Sequence, residues 1–297
     1  MLHHFLMRHL GAYYMVLASM YFALTGAFAK FLSDDMSSVE VVFFRNFIGL
    51  LLILVAIFKK PVHQRGGKPF LLIFRGAIGM LSLLAFFYNI AHMGLAEAFT
   101  FSKMAPIFVA IISAIFFKEK LNSISWIAIL LGFVGVVLVM QPNLGFEKTD
   151  MMGIINGLFA ALAYTSIHEL RRAYDTRIIV LSFVASGAVF PLICMIIAQF
   201  YATPDWLDFM FAKFVMPDFF GFVFILMMGF SGVLFQTYLT KAYAASRSAG
   251  MVSAIGYCDI IFTLILGMMM GDSLPNFIAF LGIIIIIFSG VVVAMQK

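Results

Sequence analysis

Apolar residues fall in ten long runs, and the gaps between the runs hold almost all of the charge. The runs cover residues 11–32, 41–58, 70–91, 95–117, 123–141, 152–170, 178–201, 219–240, 248–270 and 276–295. A hydrocarbon core of about 30 Å is crossed by roughly 20 helical residues, each rising about 1.5 Å, and most runs meet that length. The pattern therefore predicts ten transmembrane helices. A transmembrane barrel would instead show alternating segments of roughly ten residues. Composition points the same way: 64% of residues are hydrophobic and 11% charged, too few polar groups to cover a water-facing surface. The fold class expected is an all-α integral membrane protein.

Charge then sets the orientation. Taken alternately, the gaps place Arg8, Lys59, Lys60, Arg65, Lys68, Lys118, Lys120, Arg171, Arg172, Arg177, Lys241, Arg247 and Lys297 on one side. The other side collects only Lys148 and Lys213 from its loops, together with acids such as Asp34, Asp35, Asp150 and Asp205. By the positive-inside rule the basic side is cytoplasmic, so both termini are expected inside. The net charge of +5 is spread over these short loops, where topology accounts for it, and no nucleic-acid partner is implied. The first run is too long and too poor in small-residue cleavage signals to be a removable leader, and it reads as the first helix. Cys194 and Cys258 lie inside runs without metal-ligand spacing, so they read as packing residues, with no metal or cofactor called for.

The two halves of the chain resemble each other. Ala96–Leu121, AEAFTFSKMAPIFVAIISAIFFKEKL, lies over Ser248–Leu274, with Glu119 over Asp272 and Leu121 over Leu274; FYNIA at Phe87–Ala91 has a loose counterpart in TYLTKA at Thr237–Ala242. The match divides the chain into residues 1–145 and 146–297, each with five helices. An odd number of spans makes the second copy enter from the opposite face, which gives two inverted five-helix repeats. Such repeats can exchange conformations and open a central site to either side in turn. The plainer alternative is that duplication built a stable bundle and nothing more.

The segments FFRNFIGLLLIL (Phe43–Leu54), Arg75–Leu121, WIAILLGFVGVVLVMQP (Trp126–Pro142) and GVLFQTYLTKAYAASRSAGMVSAIGY (Gly232–Tyr257) resemble the drug/metabolite transporter superfamily, in particular its ten-helix EamA-type members. The resemblance covers essentially the whole chain, with Asp272 standing where the second repeat usually has Glu. It implies a secondary transporter built from two five-helix repeats, in a bacterial inner membrane, and leaves the cargo open.

Four cationic side chains lie within or at the edge of the runs: Lys30, Arg45, Arg75 and Lys103. A cation at mid-bilayer costs about 3 kcal/mol on insertion scales, so depth ranks them. Lys30 and Arg75 are expected near helix ends, snorkelling to water. Arg45, one turn inside the outer end of its helix and close in sequence to Glu40, resembles an arginine common there in the family; it reads either as an outer-gate ion pair or as packing. Lys103 lies roughly 12 Å down the fourth helix, and Asp259 roughly 15 Å from the inner face on the ninth. The repeat match places Asp259 over Pro106, one turn from Lys103.

Opposite charges at the midplane on related helices are the strongest site candidate. The rival reading is a clasp between the repeats, though a buried ion pair is a weak source of stability. In the site reading Lys103 meets an anionic group of the cargo and Asp259 a cationic group or a coupling proton, which suits an amino-acid-like or other zwitterionic or anionic solute. Tyr88, Asn89, Tyr164, Gln236 and Tyr257 are expected around the pair as further substrate-binding groups. Pro106 should loosen the fourth helix beside it. His168 and Glu169 read as an inner charge cluster or an exposed helix end.

These residues point to a transporter of a small polar metabolite working by alternating access. No GxxxxGK[ST] sequence supplies ATP hydrolysis. An intramembrane enzyme would need a nucleophile with its base or a metal cluster, and neither HExxH nor GxSxG occurs. A passive channel would dispense with a buried midplane charge pair.

Overall fold

The computed structural model describes residues 10–62, 66–93, 95–116, 118, 121–140, 147–246, 248–269 and 276–295. Arg8, Arg65, Glu119, Lys120, Arg247, Asp272, Lys297 and the proposed division at 145/146 lie outside the described residues. Among those residues the chain is helical and contains no strand. The helices are α1 (Leu10–Leu32), α2 (Ser38–Lys59), α3 (Pro69–His92), α4 (Leu95–Ser102), α5 (Ala105–Phe116), α6 (Ser123–Met140), α7 (Lys148–Leu170), α8 (Thr176–Phe200), α9 (Phe219–Ala245), α10 (Ala249–Ile255), α11 (Asp259–Met269) and α12 (Phe277–Met295). Short 3-10 turns cover Asp205–Leu207 and Gly256–Cys258.

Two apolar runs differ from expectation. The fourth is split between α4 and α5, and the ninth between α10 and α11 with the Gly256–Cys258 turn between them. Counting α10 to α11 as one span, seven helical segments among the described residues are long and apolar enough to cross a bilayer. With the family relationship given below, they make the protein a multi-pass membrane protein.

Local signals explain where helices start. Ser37 caps α2, its hydroxyl accepting from the Glu40 amide at 3.3 Å while the Glu40 carboxylate accepts from the Ser37 amide at 3.0 Å. Asp175 caps α8 and Asp218 caps α9 through the amides of Arg177 and Gly221. Pro69 opens α3, where its missing N–H costs nothing.

Apolar side chains line the outside as well as the core. Phe58, Phe70, Phe200 and Phe277 are largely exposed, as expected of residues that face lipid. Inside, α1 packs on α9 and α3 on α7; α2 packs on α9 and α3 on α8; α11 packs on α1 and α5 on α7. Each of these contacts has its counterpart when α1–α6 are exchanged, in order, with α7–α12. The pairs α2 with α8 and α6 with α12 map onto themselves. Small residues allow the closest approaches: a Cβ on Gly232 of α9 would sit 2.8 Å from Nε of Arg45 on α2.

Candidate functional site

The chain leaves the helix at Lys103, between α4 and α5, and the cause is Pro106. A proline has no N–H for the carbonyl four residues earlier, here Ser102, and its ring crowds that carbonyl. Accordingly α4 ends at Ser102, and Lys103 and Met104 form a turn before α5 begins at Ala105. The second break has no proline; α10 tightens into the Gly256–Cys258 turn and Asp259 starts α11.

These two breaks bring Lys103 and Asp259 together. Nζ of Lys103 donates to Oδ2 of Asp259, and both side chains are buried, at 4% and 3% exposure. Helix ends help to hold each charge: Lys103 follows the C-terminal end of α4, and Asp259 occupies the N-terminal end of α11, where the respective partial charges are favourable. The ammonium also lies 5.5 Å from the ring centroid of Phe22 and 5.7 Å from that of Phe99, within cation–π range. The pair is incompletely satisfied, because Oδ1 of Asp259 has no hydrogen-bond partner.

A cavity of about 50 Å³ opens beside the pair. Its polar lining includes Ser19, Ser102, Tyr164 and Ser253, and Pro106 forms part of its wall. A second cavity of about 30 Å³ adjoins it, lined by Arg75, Ser82, Asn156, Tyr164 and Gln236. Phe22, Tyr164 and Phe235 border both cavities, and the rings of Phe22 and Phe235 stack with centroids 4.6 Å apart. These three side chains form the partition.

Of the residues singled out from sequence, Lys103, Asp259, Tyr164 and Pro106 meet at the first cavity, and Gln236 with Tyr164 at the second. Tyr88, Asn89, Tyr257 and Arg45 line neither. The Tyr88 hydroxyl donates to Asp208 at 3.3 Å, and Lys148 lies 4.9 Å from its ring centroid, so it belongs to a cluster with the 203–217 loop. Asn89 is buried with both amide atoms unpartnered. Tyr257 turns to α6, its hydroxyl donating to the Ile129 carbonyl at 3.2 Å, with its ring against Gly132.

Of the two readings of Arg45, an ion pair with Glu40 is not what the structure shows. Glu40 is engaged by its own helix cap and by the Val215 amide at 2.6 Å, whereas Arg45 points inward and donates to Asn46 Oδ1 at 3.1 Å and the Gly232 carbonyl at 3.3 Å. Arg75 does not snorkel either. It is 1% exposed and donates to Gln236 Oε1 at 2.9 Å. Lys30 is an anchor of a different kind, its ammonium donating to the carbonyls of Ile90 and Met93 at the end of α3. Glu169 pairs with Lys68 and Arg172, tying the end of α7 to the start of α3.

Sequence reading missed Ser19, Phe22, Asn156, Phe235 and the inward face of Arg75. A usable signal existed for Arg75: Gly79 and Ser82 follow at spacings of four and seven, a small and polar stripe on one helical face.

Comparison with known proteins agrees with this architecture. Residues 9–141 match the EamA-like transporter family. An uncharacterized transporter of Helicobacter pylori is 35% identical over 293 residues, covering 96% of this chain and 94% of its own. The pseudopaline exporter CntI of Pseudomonas aeruginosa is 30% identical over 291 residues, covering 97% of this chain and 96% of its own. A protein of known crystal structure, 16% identical, superimposes with a TM-score of 0.72 over 96% of this chain and 95% of its own, a likeness of fold.

Proposed function

The chain belongs to the EamA-like transporter family of the drug/metabolite transporter superfamily, and on that premise we propose that this membrane transporter moves a small zwitterionic or anionic metabolite by alternating access, with Lys103 and Asp259 as its cargo site. The observation that carries the reading is the pair itself. Two opposite charges are buried where two interrupted helices meet, beside a cavity, with one carboxylate oxygen unsatisfied. Discontinuous helices at the midplane are a recurring way to build substrate and ion sites in transporters. Lys103 would take an anionic group of the cargo, and Asp259 a cationic group or a coupling proton.

Two features support alternating access over an open pore. The cavities, about 50 and 30 Å³, are of the size of one or two waters, far below the roughly 300 Å³ or more of a typical small-molecule site, so cargo entry requires the bundle to rearrange. The helix packing of one half also maps onto that of the other, which supports two five-helix units in inverted orientation. The basic loops support an orientation with both termini in the cytoplasm, and the likeness to bacterial transporters supports a bacterial inner membrane. A relative named as an exporter of pseudopaline supports a small solute as cargo.

The test is uptake and counterflow in proteoliposomes against a panel of amino-acid-like and carboxylate metabolites, with pH jumps. Saturable counterflow by at least one solute is expected, and it should vanish in Lys103→Met. Non-saturable flux, unaffected by that substitution, would overturn the reading in favour of a channel.

A further inference from the structure

The second cavity contains a charge with no counter-charge. Arg75 is 1% exposed and uses one guanidinium nitrogen on Gln236, while its Nε and Nη1 have no partner. Arg45, 2% exposed, also lies against Phe183, its guanidinium carbon 5.6 Å from that ring centroid and that of Arg75 4.6 Å from it. Among the described residues neither arginine forms a salt bridge with a carboxylate. Two buried guanidinium groups against one ring, with no carboxylate paired to either among the described residues, are unfavourable unless an anion arrives.

The guanidinium is what suits such an anion. Asn156 also lines the cavity, but its amide nitrogen is spent on the carbonyl and hydroxyl of Ser82 and its unpartnered Oδ1, an acceptor, gives an anion nothing. Gln236 turns its acceptor toward Arg75, and the unpartnered Nε and Nη1 of the guanidinium are donors for an anion. A planar carboxylate matches that group in shape and charge. Phe22, Tyr164 and Phe235 border both this chamber and the one beside Lys103 and Asp259.

Building on the transport reading above, we propose that Arg75, positioned by Gln236 and reinforced electrostatically by Arg45 beside Phe183, is a second subsite that takes a carboxylate of the cargo. The cargo is then an elongated molecule: its zwitterionic end lies at Lys103 and Asp259, and a remote carboxylate passes the Phe22, Tyr164 and Phe235 partition to reach Arg75. The partition side chains move aside when cargo is bound, which makes the site selective for length.

The experiment is a thermal-shift titration of the purified full-length protein with the series aspartate, glutamate, α-aminoadipate and α-aminopimelate, against norvaline as a zwitterion without a second carboxylate. At least one member of the series should bind about tenfold more tightly than norvaline, the worth of a charge-assisted hydrogen bond. Arg75→Met should remove that preference and leave norvaline binding within about twofold, since norvaline makes no contact with Arg75. Arg75→Lys keeps the charge but loses the planar fork, and should lower the preference severalfold. It decides the matter if Arg75→Met does not purify as a folded protein. Absence of any preferred member in the wild type, or survival of the full preference in either Arg75 variant, overturns the subsite. Lys103→Met separates the two readings: it should weaken norvaline and the dicarboxylates alike. If it leaves norvaline unchanged while Arg75→Met still abolishes the preference, the Lys103 site fails and the Arg75 subsite stands.

Discussion

Neutralising the buried pair one member at a time, and then both together, distinguishes a cargo site from a clasp. Removing one partner of a buried ion pair generally costs about 3 to 5 kcal/mol, because the other charge is stranded. The surroundings of this pair reduce that figure unequally. In Asp259→Asn the Lys103 ammonium keeps the rings of Phe22 and Phe99 and the C-terminal end of α4. Cation–π contacts contribute about 0.5 to 2 kcal/mol, so the loss should be about 1 to 4.5 kcal/mol. In Lys103→Met the Asp259 carboxylate keeps the N-terminal end of α11, worth about 0.3 to 1 kcal/mol and rising to about 2 kcal/mol when partly buried, but its Oδ1 is already unsatisfied. Lys103→Met should therefore be at least as destabilising as Asp259→Asn. The double variant strands no charge and should recover most of the stability. The assay is thermal unfolding of each purified variant, paired with counterflow in proteoliposomes. A cargo site predicts a double variant that is stable yet inactive. A double variant that recovers both stability and transport refutes the site, leaving the pair as a clasp between helices.

Three further outcomes follow from the geometry. The proposed orientation, termini inside, predicts that an outside-only reagent modifies a cysteine placed at Asp150 or Asp205 and spares one placed at Arg65; labelling at Arg65 would refute it. Pro106→Ala restores an N–H that can donate to Ser102 and so favours a continuous fourth helix; the protein should fold but turn over more slowly, and unchanged turnover would remove Pro106 from the mechanism. Gly232→Ala places a Cβ 2.8 Å from Nε of Arg45, a buried overpacking expected to cost about 1 to 3 kcal/mol in thermal or denaturant unfolding, and unaltered stability would show that Arg45 has room to move.

Sequence by itself determined the solvent of this protein and much of its architecture. Ten apolar runs need lipid on their outer faces, and hydropathy reports that because each helix satisfies its own backbone within the bilayer. It also singled out Lys103 and Asp259, because depth along a helix follows from counting residues and because a repeat match relates two helices far apart in sequence. Pro106 announced one of the two helix breaks through its missing N–H.

The rest depended on which way side chains face, and that is set by neighbours the sequence does not order. Arg75 was expected at a water-exposed end because the apolar run starts only a few residues earlier, yet packing of α3 against α7 and α8 encloses it beside Gln236 and Phe183. For Arg45 the sequence left an ion pair with nearby Glu40 and plain packing both open; five residues along a helix is well past one turn, and the α2 cap claims the acid. Tyr257, two residues before Asp259, was expected at the cavity; the intervening 3-10 turn directs it to α6 instead. The break before Asp259, unmarked by proline, arises where α10 and the following turn pack against α1 and α12. Helical periodicity fixes which residues share a face, whereas only the tertiary arrangement decides whether that face meets lipid, another helix or a cavity.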